Sequence, residues 1–141
     1  MPQKRSQLRK SPRTQSRRPA FPKISVEMKQ WSALLQSELS SWPSISTKSM
    51  FGFLFFYRRA TVFAALPKTR GFDSPSSLLF KFDPLPPALR KRAEAHARIT
   101  ASMKASSKGW FAFEMHSDND LHDALWWLNQ SYESAKKGAG R

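Results

Sequence analysis

The chain reads as an α+β domain: a mostly antiparallel sheet of about five strands with flanking N- and C-terminal helices, in the order αβββαββα. Three observations carry that reading. Met28, Trp31, Leu35, Leu39 and Trp42 recur at helical spacing. Three short apolar runs follow, at 50–57, 61–66 and 77–82, with brief polar breaks that favour antiparallel neighbours. A strand-like run from Trp110 to Met115 then passes at once into an amphipathic helix pattern over 117–136.

Each element has its own warrant. Ser25 caps the first helix, Glu27 lies in its positive first turn, Leu34 sits beside its stripe, and Pro43 ends it. The run 50–57 is too aromatic and too short for a surface helix. It predicts a strand buried on both faces, with Gly52 marking a bulge or a close backbone approach. Arg58-Arg59 is a tight polar break, and 61–66 completes a hairpin that Pro67 closes. Residues 68–76 form a loop around Gly71 and Pro75, and 77–82 are a third strand. The prolines at 84, 86 and 87 lead into a short basic helix over 88–97.

Residues 99–104 are a short, weakly patterned strand, and Gly109 turns the chain into the next one. Ser117 caps the last helix, Asp118 and Asp120 complement its dipole, and Asp120 stands where a capping box places Glu or Gln. Leu121, Ala124, Leu125, Leu128, Tyr132 and Ala135 form the core stripe. The adjacent Trp126 and Trp127 point about 100° apart, so one belongs at the margin or at an interface. Gly138 and Gly140 end the helix and leave 138–141 as a frayed tail.

At 141 residues there is room for one modest core, placed here at 24–137. The formal charge is +14, and it is uneven. Residues 1–23 hold eight cations (Lys4, Arg5, Arg9, Lys10, Arg13, Arg17, Arg18 and Lys23) and no acid. Such an arm repels itself, lacks apolar residues to bury, and is expected to be disordered, with polyanions as its natural partners. The absence of cysteine excludes disulfides, thiolate nucleophiles and zinc fingers. No apolar run is long enough to span a bilayer. The arm lacks the apolar segment of a secretory signal. Its Arg- and Ser-rich, acid-free composition suits a mitochondrial transit peptide, but Pro12, Pro19 and Pro22 would interrupt the amphipathic helix. A cytoplasmic location is the expectation.

Met50-Phe51-Gly52, then Tyr57, then Phe63-Ala64 resembles the N-terminal domain of the TfoX/Sxy competence regulators. Gly109-Trp110-Phe111-Ala112-Phe113, with Asp120, Ala124, Leu128 and Tyr132, is similar to the ends of YjbR-like proteins and of the small bacterial "luciferase-domain" family. The resemblance spans roughly residues 25–136 and implies a compact bacterial α+β domain, often linked to regulation or DNA, with no established active site. Two features depart from it: Arg58-Arg59 replaces an acidic or Gly-containing turn, and the 67–76 loop is longer.

The densest polar cluster is 116–123. His116, Asp118, Asp120 and His122 are candidate metal ligands, with Asp118 and His122 on one helix face. The simpler reading is structural: Ser117 caps, the acids complement the dipole, and the histidines face water. A metal would need ligands from a second element, where only His96, Asp73 and Asp83 offer themselves. No Gly-x-Ser-x-Gly elbow, phosphate-cradling glycine loop or acid/base carboxylate pair is present, and no cofactor is implied.

The basic groups remain. The arm, Arg58, Arg59, Lys68 with Arg70, and Arg90, Lys91, Arg92 with Arg98 either form one positive surface or are separate solvated patches. Convergence would bind phosphates non-specifically by counterion release. The aromatic residues of 50–57 could stack bases, but a continuous run argues for core. The expected function is therefore a non-enzymatic nucleic-acid-binding or regulatory domain. The alternatives are a protein-interaction or dimerisation module anchored by Trp126 or Trp127, and, with less support, a small-molecule binder or enzyme using 67–76 as a lid.

Overall fold

The computed structural model describes residues 22–72, 74–82, 86–100 and 109–139, with side chains to 135. Its elements are α1 (Val26–Ser40), β1 (Ile45–Met50), β2 (Phe53–Arg58), β3 (Thr61–Pro67), β4 (Ser77–Lys81), α2 (Pro87–Glu94), β5 (Ile99–Thr100), β6 (Trp110–Glu114) and α3 (Asp120–Ala139). The fold is α+β, and its six described strands form one antiparallel sheet in the order β1-β2-β3-β4-β6-β5.

The sixth strand is β1. Its sequence, Ile-Ser-Thr-Lys-Ser-Met, lies on the sheet edge with its four central residues exposed, so it carries no alternating apolar signal. The run 50–57 is consequently not one strand. Phe51 and Gly52 form a two-residue turn with φ of 58° and 83°, the backbone of a type I′ hairpin. Gly52 is also a close approach, as expected: a Cβ there would stand 2.8 Å from the side chains of Thr69 and Arg70. Nor is β2 buried on both faces. Phe53, Leu54 and Phe56 are buried, whereas Phe55 and Tyr57 are partly exposed.

The β2–β3 hairpin turns at Arg59, whose φ of 57° places a bulky residue in the left-handed region. The register between these strands shifts at Phe56/Tyr57, so Val62 faces Tyr57 while Ala64 faces Phe56. The extra residue, Phe63, joins Ala64 in the same buried cluster. A bulge therefore puts two consecutive side chains of β3 under the helices.

All three helices contribute buried apolar residues to one cluster. It contains Met28, Trp31, Leu35 and Leu39 of α1, Ala93 of α2, and Ala124, Trp127, Leu128, Tyr132 and Ala135 of α3. From the sheet it takes Leu54, Phe56, Phe63, Leu66, Leu78, Phe80, Phe111 and Phe113. Trp127 stacks on Phe80 (5.6 Å, 17°), and Phe80 stacks on Phe111 (5.8 Å, 15°). Polar ties fix the helices in place. Ser25 Oγ accepts from Met28 N at 3.0 Å, as the expected cap. Ser32 Oγ donates to Pro67 O at 2.6 Å, and Trp31 Nε1 donates to Asp118 Oδ1 at 2.7 Å. Tyr132 Oη donates to Pro43 O at 2.7 Å, beside the ring of Trp42.

The remaining boundaries differ by small amounts. Helix α2 ends at Glu94, short of residue 97, and α3 continues past Gly138 to Ala139. The stretch 101–104, assigned to a strand from sequence, lies outside the described residues, as do the arm from 1 to 21 and most of the Pro-rich lead-in. No described helix is long and apolar enough to cross a membrane.

Gly109 opens β6 with φ of 87°, and a Cβ there would lie 2.1 Å from Phe82 O. Gly109→Ala is accordingly expected to lower stability by about 1–3 kcal/mol through backbone strain, with the clash adding to it. Urea unfolding of the two proteins measures this, and an unchanged midpoint would refute it.

Candidate functional site

The basic groups divide into those that build the fold and those that face water. Arg58 builds the fold. Its guanidinium lies 3.9 Å from the Tyr132 ring centroid, Nη1 donates to Tyr132 O at 3.2 Å, and Glu133 is 3.8 Å away. Its side chain is 14% exposed, so little of it can meet a ligand. Arg92 covers the ring of Trp126 at 4.2 Å and so fastens α2 to α3. Of the tryptophan pair, Trp127 is the core residue and Trp126 the marginal one. Arg98 Nε lies 3.4 Å from Asp120 Oδ2. Arg59, Arg90 and Lys91 are exposed. The arm cations Lys4, Arg5, Arg9, Lys10, Arg13, Arg17 and Arg18 lie outside the described residues.

The root of the arm is described, and it is stitched to the 68–76 loop. Lys23 pairs with Arg70 in an antiparallel bridge, Gly71 N donates to Pro22 O at 2.9 Å, and Ile24 N donates to Thr69 O at 3.0 Å. The backbone of Pro22–Ile24 therefore runs beside that of the loop carrying Lys68 and Arg70. The basic groups on α2 belong to a different part of the molecule, packed near β5 and α3.

The His/Asp cluster is divided among structural bonds. Asp120 Oδ2 accepts from the backbone N–H of His116 at 2.7 Å and of Ser117 at 3.2 Å. That is the reach-back half of a capping box, with Ser117 N–H as the capped donor; regular helix starts at Asp120. Asp118 is taken by Trp31, and Asp123 Oδ2 lies 2.5 Å from His96 Nε2. Arg98 N donates to His96 Nδ1 at 3.0 Å, which assigns the ring proton to Nε2. His116 and His122 are exposed. Among the described residues no group of three or more His, Asp or Glu side chains is arranged to hold a metal ion. The His96–Asp123 pair, which ties the segment after α2 to α3, joins residues 27 apart and has no local spacing that sequence could reveal.

The other face of the sheet has a separate character. A second apolar cluster there comprises Phe53, Ala65, Leu79 and Ala112, with Phe55, Phe72 and Trp110 packed against it, and among the described residues it includes none from a helix. Phe55 on β2 and Trp110 on β6 meet edge to face at 6.1 Å, although β3 and β4 lie between their strands. The contact requires both rings to lean across the sheet. Small Ala65 and Ala112 leave room beneath them, and Phe53 extends the row at 6.2 Å from Phe55. Directly paired residues share a face. Lys48 is opposite Phe55, Lys81 is opposite Trp110, and Tyr57 is opposite Ser46, so these side chains belong to this same face. Phe72 comes from the loop that holds the arm root. These features place a half-exposed aromatic surface next to the exit of the basic arm. No family model, curated protein or solved structure matches the chain.

Two outcomes follow from the bonded groups. Burial pushes the Asp120 carboxyl up, but the His116 and Ser117 N–H bonds and Arg98 outweigh it and hold it below the usual carboxylate value. A folded-state pKa below the unfolded one stabilises fully above the unfolded value of about 3.9 and is lost as pH falls through the folded value. Asp120→Asn should therefore lower the melting temperature near neutral pH and flatten its decline in acid, and parallel acid branches would refute this. Arg58→Gln should cost about 1–3 kcal/mol in urea unfolding through lost cation–π and hydrogen-bond contact, against about 0.5 or less for exposed Arg59→Gln. Equal losses would contradict the division drawn between these neighbours.

Proposed function

We propose that the chain is a cytoplasmic, non-enzymatic domain of the TfoX/YjbR-like kind that binds nucleic acid, in a regulatory setting, through non-specific electrostatics supplied chiefly by its basic arm. The observation that carries this reading is the joining of Lys23 to Arg70, which continues the run of arm cations into the basic loop of the folded domain. A polyanion held by the arm would be delivered to that loop. Counterion release supplies the affinity and makes it salt-dependent. The exposed Arg59, Arg90 and Lys91 add to the field at longer range. Dimerisation through Trp126 has less support, because Arg92 already lies over that ring.

The test is a salt titration of DNA binding by the full chain and by a variant with the seven cations from Lys4 to Arg18 replaced by Gln. Each phosphate contact contributes about 0.9 to the slope of log affinity against log salt. The variant should show a slope shallower by several such contacts and markedly weaker binding at low salt. Equal slopes would remove the arm from the mechanism.

A further inference from the structure

We infer that the face of the sheet opposite the described helices is a stacking platform for the unpaired bases of single-stranded nucleic acid, with Phe55 and Trp110 as its principal rings and Lys48 and Lys81 beside them for phosphates. The inference rests on the polyanion reading above and names the place where bases, rather than phosphates, would be held.

The argument begins with the pattern of burial. In β2 the aromatic residues are shared between two faces. Phe56 goes to the helix-covered core, while Phe55 and Tyr57 go to the face whose cluster, among the described residues, takes none from a helix. There the rings are half-buried rather than enclosed. Phe55 and Trp110 lie over Ala65 and Leu79, which are 0% and 6% exposed, so the rings form a continuous apolar layer on the strands. A layer of this kind offers π-surface to any base whatever its identity, which suits binding without sequence preference. Bases inside a duplex are already stacked on each other and cannot use it, so the ligand must present unpaired bases.

Charge selects this occupant over a second copy of the chain. Lys48 is exposed at the centre of the edge strand and directly opposite Phe55, and Lys81 is directly opposite Trp110. Among the described residues this face carries Glu114, which is opposite Ser77, two rows from the Lys81–Trp110 pair, and accepts from Ser74 Oγ at 2.5 Å. Two chains of charge +14 meeting through this face would bring like cations together. A phosphate backbone meets the same cations favourably. The arm root at Lys23 and Arg70 adjoins the loop that sends Phe72 onto this cluster, so one strand can run from the arm to the rings.

The experiment uses the full chain and fluorescence anisotropy with labelled oligo(dT), oligo(U) and a DNA duplex, each about 12 units long to match the site size of a small stacking surface. Trp110→Leu and Phe55→Leu keep apolar bulk but remove the π-face. Circular dichroism melting checks that each variant is folded, and Lys48→Glu/Lys81→Glu, at surface positions, provides a readout independent of core packing. The expected result is preference for single strands over duplex, with single-strand affinity falling about tenfold or more in each aromatic variant while duplex affinity and its salt slope hold. The lysine variant should lose single-strand affinity as well. Aromatic and lysine variants that bind oligo(dT) like the parent overturn the platform and leave arm-driven binding standing. No binding of any oligonucleotide by the parent at low salt overturns both readings. Self-association abolished by the leucine variants, with oligonucleotide affinity intact, assigns the face to a second copy and also overturns the proposal.

Discussion

The flat stack of Trp127 on Phe80, and of Phe80 on Phe111, decides which face of the sheet is closed. Trp127 is the largest fully buried side chain, and it comes from the middle of α3. Once it is seated over β4, the α3 stripe from Ala124 to Ala135 must lie along β3, where Tyr132 meets Phe63 at 5.4 Å. α1 is then drawn to the same face, since Trp31 reaches Asp118 before α3 and Tyr132 reaches Pro43 after α1. Removing so large an aromatic residue from a packed core costs about 3–5 kcal/mol. That is a large part of what a domain of this size has in reserve.

The bulge between β2 and β3 makes this arrangement compatible with the sequence. A strict alternation through Val62, Phe63, Ala64 and Ala65 would send Phe63 and Ala64 to opposite faces. The extra residue lets both enter the helix-covered core and resets the parity, so that Ala65 faces the other way with Phe55, Leu79 and Ala112. The two clusters are thus consequences of one register shift. It supplies Phe63 to the tyrosine side of the core. On the reverse face it supplies the small residue over which Phe55 and Trp110 can touch.

The helical stripes and caps were legible from spacing, because an amphipathic helix writes its buried face every three or four residues. Of the four strands with apolar centres, β3, β4 and β6 were legible too. What was not legible has physical reasons. β1 is an edge strand in which Ser46, Thr47, Lys48 and Ser49 all meet water, so nothing in it alternates. Phe51 hid a turn inside an aromatic run: its φ of 58° is rare for a bulky residue, and it is 72% exposed where its type suggests core. Of the acids of 116–123, Asp120 caps the helix start, whereas the partners Trp31, His96 and Arg98 of Asp118, Asp123 and Asp120 come from elsewhere in the chain and have no local spacing. Arg58 and Arg59 are neighbours with the same side chain, but Arg58 ends β2 and turns toward Tyr132, whereas Arg59 sits in the left-handed hairpin turn and faces solvent.

The placement of cations bears on what the sheet face away from the described helices can meet. Such a face, continuous with an exposed edge strand, invites strand pairing and face-to-face stacking. Here Lys48 lies at the midpoint of the edge, and its partner across the pair is Phe55, so one cation guards both the free backbone edge and the aromatic row. Lys81, on the interior strand β4, has no free edge to guard but lies opposite Trp110 at the other end of the aromatic row. The charges that oppose self-association are the charges that would receive a phosphate backbone. An apolar surface protected in this way is closed to a like-charged partner and open to an oppositely charged one. The half-buried rings of Phe55 and Trp110 and the cations of Lys48 and Lys81 are therefore a single feature of this face rather than two.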